Sequence, residues 1–158
     1  MSANEFKHLL FNAVLDLLWR QWSQLGISGQ VAAKKESYVL DPEALLIFSA
    51  GFCRYDQRLY DLILDWLRLN GSLVNIQRMK ALAGQCRYKD TASLGYMAAQ
   101  MQRRDTNRWK KPAADYLPKT VEPVPMFRDR ENECAAYCRN PEELALQYGF
   151  LRNEYIPS

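Results

Sequence analysis

The sequence predicts a mainly α fold: a helical bundle with a helix-turn-helix core and an extended, proline-rich C-terminal arm. Apolar residues recur every three or four positions through most of the first 105 residues, which is the period of an amphipathic helix. Aspartate or asparagine precedes several of these segments and glycine follows some of them, as is typical of helix ends. Four prolines between residues 112 and 125 then disfavour helix and indicate an extended segment.

The composition is ordinary for a soluble globular protein. Of the 158 residues, 48% are hydrophobic and 25% are charged, which fits one compact domain with an attached arm. We expect a helical domain over residues 1–106, an arm or linker over 107–139, and a short helix with a tail over 140–158.

The longest apolar stretch is too short to cross a bilayer, no secretion signal is evident, and the cysteines are few and scattered. A cytoplasmic protein without membrane contact is therefore predicted.

The first helix is predicted over residues 4–24 and is unusual because apolar side chains lie on most sides of it. Its apolar residues wrap most of the circumference, and such a helix must be buried on several sides. In a chain this short, a second copy is one way to bury part of that surface. A homodimer through residues 4–24 is thus one expectation, while His8, the only histidine, is expected at the surface.

Four further helices are predicted from their capping residues. Asp41 caps the second helix and Pro42 occupies its first turn. The third helix starts near Asp56 and ends at Asn70-Gly71, where glycine would take the left-handed conformation. Asn75 caps the fourth helix, and Asp90 or Thr91 the fifth. A short strand at residues 36–40, a fourth helix ending at Gly84 and a weakening of the fifth helix by Gly95 are also expected.

Helices three to five, over about residues 57–104, form a possible helix-turn-helix unit. Residues 71–74 suit the short turn of that motif, whereas residues 84–89 make a longer connection. Helices four and five are each expected to expose side chains that can contact base edges. Those proposed near bases are Gln77, Tyr96 and Gln100. The alternative is that both helices are ordinary solvated amphipathic helices.

Positive charge is concentrated in the middle of the chain. The net charge is −1 over residues 1–70, +7 over residues 71–119 and −3 over residues 120–158. Within this basic third, the segment RRDTNRWKK places five basic residues in nine positions. A phosphate-binding surface needs such a concentration of lysine and arginine, although solvated surfaces also cluster charge. The predicted phosphate contacts are Arg78, Lys80, Arg103, Arg104, Arg108, Lys110 and Lys111.

The proline-rich segment allows two interpretations. As an extended arm, residues 112–127 would bind a protein partner or a neighbouring subunit. The alternative is an irregular segment packed on its own domain. The anchors of such an arm would be Tyr116, Leu117, Val121, Val124, Met126 and Phe127. A last helix is predicted from Asn140 and Pro141 to a closing Gly149.

No motif for a cofactor, a metal or catalysis is recognised. Cys134 and Cys138 are three residues apart, but a zinc site would need two more ligands, so free cysteines are the preferred interpretation. The sequence has no glycine-rich phosphate loop and no nucleophile elbow. The pair Asp61 and Asp65 is interpreted as a solvated helix face. We therefore expect a protein that is not an enzyme.

The segments ALLIF, RYDQRLYDLILDWLRLNGSLVNIQRMKALA and LALQYGFLR together resemble the N-terminal region of a group of bacterial winged-helix or helix-turn-helix transcriptional regulators, some of them antitoxin-like. The resemblance spans residues 19–83 and 143–152 and carries no catalytic residue. It implies a winged-helix-like core. Similar proteins continue into a further winged-helix domain, so the chain is expected to be a stand-alone version or an N-terminal piece.

These observations predict a bacterial DNA-binding transcriptional regulator, a homodimer that contacts double-stranded DNA through residues 71–119. The alternative is a protein-interaction or dimerisation module without DNA binding of its own.

Overall fold

The computed structural model describes residues 1–27, 39–87, 89–127 and 141–153, and confirms that the chain is mainly α. In chain order its elements are α1 (Ala3–Gln24), α2 (Pro42–Phe52), a 3-10 turn (Cys53–Tyr55), α3 (Gln57–Asn70), a second 3-10 turn (Gly71–Leu73), α4 (Ile76–Gln85), α5 (Thr91–Gln102), α6 (Thr106–Asp115), β1 (Val124–Pro125), α7 (Glu143–Gln147) and β2 (Phe150–Leu151).

Side-chain caps start most of the helices. In each case a carboxylate or amide oxygen accepts a hydrogen bond from the backbone N–H three residues further on, which satisfies one of the donors left over at a helix start. The predicted caps Asp41, Asn75 and Asp90 are confirmed. Asp56 and Asp105 cap α3 and α6 in the same way.

Helix α5 lies at the centre of the bundle, in contact with α2, α3, α6 and α7. All residues from Ser93 to Ala99 are buried. Helix α4 packs on α2 and α6, and its core residues are Met79 and Ala83.

Three tryptophans fix α1 and the residue after it to the bundle. The indole N–H of the fully buried Trp22 donates to Ser49 Oγ at 2.8 Å, and that of Trp19 donates to Asp56 Oδ2 at 2.8 Å. From α3, the Trp66 N–H donates to the carbonyl oxygen of Leu25 at 2.9 Å. Since a buried indole N–H needs an acceptor, these bonds fix how the C-terminal half of α1 packs.

The prediction of an extended arm is wrong for residues 107–115. Residues Thr106–Asp115 form α6, which packs closely along α5. Pro112 lies inside this helix, where it cannot bond to the carbonyl of Arg108. The burial of Trp109, Pro112 and Ala113 against the bundle offsets that loss.

Residues 125–127 also return to the core, as the second interpretation of this segment expects for them. Strand β1 pairs in parallel with β2, and Met126 and Phe127 are fully buried. Of the proposed partner anchors, Leu117, Val121 and Val124 are the exposed ones. Residues 128–139 of the predicted arm lie outside the described residues, as do Cys134, Cys138 and the predicted cap Asn140.

Two smaller predictions about helix ends need correction. Gly71 has a φ of −59° and is therefore not left-handed; it continues α3 into a 3-10 turn. A Cβ at Gly71 would lie 3.4 Å from Met101 Cε and 3.6 Å from the Trp109 ring, which are ordinary van der Waals distances, so neither the backbone conformation nor the space requires glycine at this position. Helix α4 ends at Gln85, one residue later than predicted. Most of the predicted strand at 36–40 lies outside the described residues.

Candidate nucleic-acid interface

A groove of about 630 Å³ lies between the start of α4 and α6. Asn75 sets the first turn of α4 by accepting from the Arg78 N–H at 3.0 Å, and Asp105 sets the first turn of α6 by accepting from the Arg108 N–H at 3.2 Å. Four residues that the sequence proposed for DNA contact meet here from two separate helices. They are Gln77, Lys80, Arg108 and Lys111.

Arg108 connects the two sides of this groove. Its guanidinium donates to the carbonyl oxygens of Gly71 at 3.2 Å and Ser72 at 2.9 Å, and to that of Val74 as well. A guanidinium presents several donors in a rigid plane, which suits it to a cluster of carbonyl oxygens. Arg108 thus holds the α3–α4 turn against α6, and its positive charge faces backbone dipoles within the chain.

The other cations of the groove differ in their surroundings. Lys80 extends from α4 to form an ion pair with Asp115 at the end of α6. Lys111 is exposed at the rim, and its neighbour Lys110 is exposed on the same helix. Arg104, just after α5, is exposed too.

Arg78 lies on α4 but interacts away from the groove. Its guanidinium pairs with the carboxylates of Asp41 and Glu43 at the start of α2. The Ala44 N–H, and next the Arg78 guanidinium, lower the pKa of Asp41 below its usual 3.8. Arg78 therefore joins α4 to α2.

The expectation that Tyr96 is exposed for base contact is wrong, because Tyr96 is fully buried. Its ring packs near Tyr60, 6.2 Å between centroids, and its hydroxyl donates to Glu142. The sequence pattern misled because the hydroxyls of Ser93 and Tyr96 were taken to mark an exposed face, whereas α5 is covered on nearly all sides and both residues are buried. Burial raises the pKa of the Tyr96 hydroxyl well above its ordinary value, so it remains protonated and can donate.

Gln100 and Arg103 also face away from the groove. The Gln100 amide donates to the Tyr60 hydroxyl at 3.3 Å, and Arg103 pairs with Glu142 at 3.4 Å. Both residues line a second, more polar pocket of about 440 Å³ between α3, α5 and the C-terminal segment, by which we mean residues 141–153. The structure thus divides the predicted DNA-contact residues between two separate places.

The second pocket contains Arg152, which the sequence did not single out, and Asp61, which it interpreted as part of a solvated helix face. Arg152, nine-tenths buried, donates to Asp61 Oδ1 at 2.8 Å, and its guanidinium lies over the rings of Tyr60 (5.2 Å) and Phe127 (5.5 Å). Burial raises the pKa of Asp61, although the charge of Arg152 opposes that shift. No periodicity or spacing could have found this cluster, because its members come from distant parts of the chain.

Comparison with protein-family models, with curated proteins and with solved structures finds no match to this chain. Among the described residues, no helix combines the length and apolar character needed to span a membrane, and no group of three metal-binding side chains occurs.

Proposed function

We propose that the chain is a DNA-binding transcriptional regulator that contacts double-stranded DNA along the groove between α4 and α6. The observation that carries the proposal is the convergence of Gln77, Lys80 and Lys111, from separate helices, on one open groove. The basic third of the chain, at +7, supplies the charge that phosphates require.

In this proposal α3, residues 71–75 and α4 are the helix-turn-helix, with α4 as the helix that enters the major groove. Gln77 is the second residue of α4 and is exposed. Recognition helices contact bases with their N-terminal residues, and a glutamine amide can bond to adenine N6 and N7. Arg108 supports the interface by fixing the turn, while Lys110, Lys111 and Arg104 contact phosphates.

The proposal is tested by titrating the 158-residue chain against a random-sequence duplex at several salt concentrations, with fluorescence anisotropy as the signal. We expect binding at low salt that weakens steadily as salt rises. The variant Lys110→Gln with Lys111→Gln removes two phosphate contacts and should reduce the slope of log K against log salt by about 1.8.

A matched control removes the same charge elsewhere. Lys7 on α1 and Arg103 just after α5 are exposed and lie outside both the groove and the proposed helix-turn-helix. The variant Lys7→Gln with Arg103→Gln should leave the slope unchanged. Failure of the native chain to bind at low salt, or an equal loss of slope in the control, would overturn the proposal.

A second candidate function is a protein-interaction module that does not bind DNA. It is favoured by the large apolar side chains that α1 exposes, Phe6, Leu9 and Leu10. The salt titration separates the two candidates, because an interaction module has no reason to bind a random duplex.

A further inference from the structure

Leu73 is a large apolar side chain that remains in solvent at the edge of the groove. It is the last residue of the second 3-10 turn, is 68% exposed, and lines the groove together with Gln77. The next residue, Val74, is fully buried, as is Met79. These two residues occupy the positions of a hydrophobic staple, one before the N-cap Asn75 and one four residues after it. The start of α4 is therefore anchored without Leu73, and core packing does not account for that leucine.

The backbone on both sides of Leu73 is fixed. The Arg108 guanidinium donates to the carbonyl oxygens of Ser72 and Val74, the two residues that flank it. The Val74 N–H in turn donates to the carbonyl oxygen of Gly71 at 3.2 Å. A side chain on a backbone held in this way loses little entropy on binding, because the turn is already ordered in the free chain. The turn thus presents Leu73 as a preorganised contact.

The charge of the groove indicates which kind of partner can reach this leucine. Among the described residues that line the groove, Lys80, Arg108 and Lys111 are cations and none carries a carboxylate. A polyanion is the complementary partner, whereas an uncharged apolar partner would gain nothing from the cations. The major groove of duplex DNA combines a polyanion with apolar surface, because the C5 methyl group of thymine projects into it. An exposed leucine among cations fits that combination.

We propose, on the basis of the function proposed above, that Leu73 contacts the C5 methyl group of thymine in the major groove, beside the adenine that Gln77 contacts. A glutamine amide bonds to adenine N6 and N7, and the thymine methyl group lies on the same groove edge of an A·T pair. Leu73 and Gln77 line the same groove at the start of α4, so one placement of this helix serves both contacts. Leu73 is then a specificity-determining residue, and the chain prefers A·T pairs within its site.

The test measures the affinity of the full 158-residue chain for two duplexes of the same A·T-rich sequence, by fluorescence anisotropy at low salt. One duplex contains thymidine, and the other contains deoxyuridine at every thymidine position, which removes only the C5 methyl groups. We expect the deoxyuridine duplex to bind about 4-fold more weakly for each methyl group contacted. Leu73→Ala should bind the thymidine duplex more weakly than the native chain does, and should bind the two duplexes equally.

Leu9→Ala is the matched control, because Leu9 is a 59% exposed leucine on α1, outside both the groove and the proposed helix-turn-helix. It should keep the full difference between the two duplexes.

The salt dependence separates this inference from the function on which it rests. Equal binding of both duplexes by the native chain, with an affinity that falls as salt rises, would overturn the contact of Leu73 and leave the proposed DNA binding intact. A difference that survives Leu73→Ala, or that Leu9→Ala also removes, would overturn the contact too. A native chain that binds neither duplex at low salt would overturn the proposed function, and this inference with it.

Discussion

Arg152 donates a hydrogen bond to Asp61 at 2.8 Å, although the two residues are 91 positions apart in the chain. This bond joins the C-terminal segment to α3. The Arg152 guanidinium is also enclosed between Tyr60 and Phe127, so its charge is stabilised by a carboxylate and by two aromatic faces. The C-terminal segment is therefore part of the bundle's core.

The first prediction concerns this ion pair. Arg152→Ala removes the stacked guanidinium, and we expect the free energy of unfolding to fall by about 1–3 kcal/mol, less than for a fully buried pair because Asp61 is half-exposed. Urea unfolding measures the change. Arg68→Ala, which removes the exposed Arg68–Asp65 pair, is the control and should cost at most about 1 kcal/mol. Equal losses in the two variants would contradict the role assigned to Arg152.

The sequence could predict the parts of this fold that depend on neighbouring residues. Caps such as Asp41 and Asn75 act on N–H groups three positions away, so their effect is visible in a short window. The covered sides of α5 and the burial of Pro112 depend on how whole helices pack on one another, which no local pattern encodes. For the same reason the sequence identified Arg108 as a cation but not as the residue that bonds to the α3–α4 turn.

The second prediction separates that positioning role from direct phosphate contact. Arg108→Gln removes the guanidinium donor from the carbonyl oxygens of Ser72 and Val74, while that of Gly71 still accepts from the Val74 N–H, and we expect a loss of about 1–3 kcal/mol in the free energy of unfolding. Lys110→Gln, an exposed change on the same helix, should be within about 0.5 kcal/mol of the native chain. Thermal or urea unfolding of the two variants measures the difference in their stability. An unchanged stability for Arg108→Gln would show that its bonds to the turn contribute nothing.

The third prediction is a pH dependence that arises from Asp41. Its pKa is lower in the folded chain than its usual 3.8, so the folded state binds this proton less readily than the unfolded state does. The resulting stabilisation is fully present above pH 3.8 and is lost as the pH falls through the lower, folded-state pKa. Unfolding measured from pH 6 to pH 2 should show this loss.

Asp41→Asn is the control for that titration, because asparagine keeps the helix cap but cannot ionise. We expect its stability to depend less steeply on pH below about 4 than that of the native chain. Asp41→Ala, which also removes the cap on the Ala44 N–H, should cost about 0.5–2 kcal/mol at neutral pH. Identical pH profiles for the native chain and Asp41→Asn would contradict the lowered pKa of Asp41.

The fourth prediction compares two helical glycines that differ in their surroundings. A Cβ on Gly95 would lie 2.7 Å from Tyr148 Cε1 and 2.8 Å from Tyr116 Cβ, whereas a Cβ on Gly84 meets nothing within 4 Å. Helix propensity alone favours alanine over glycine by up to about 1 kcal/mol at either site. We expect Gly84→Ala to stabilise the chain by at most that amount. Gly95→Ala should destabilise it by about 1–3 kcal/mol, because the Tyr116 backbone and the Tyr148 ring must move. Urea unfolding of both variants measures the signs, and a stabilising Gly95→Ala would show that α5 is not packed this closely.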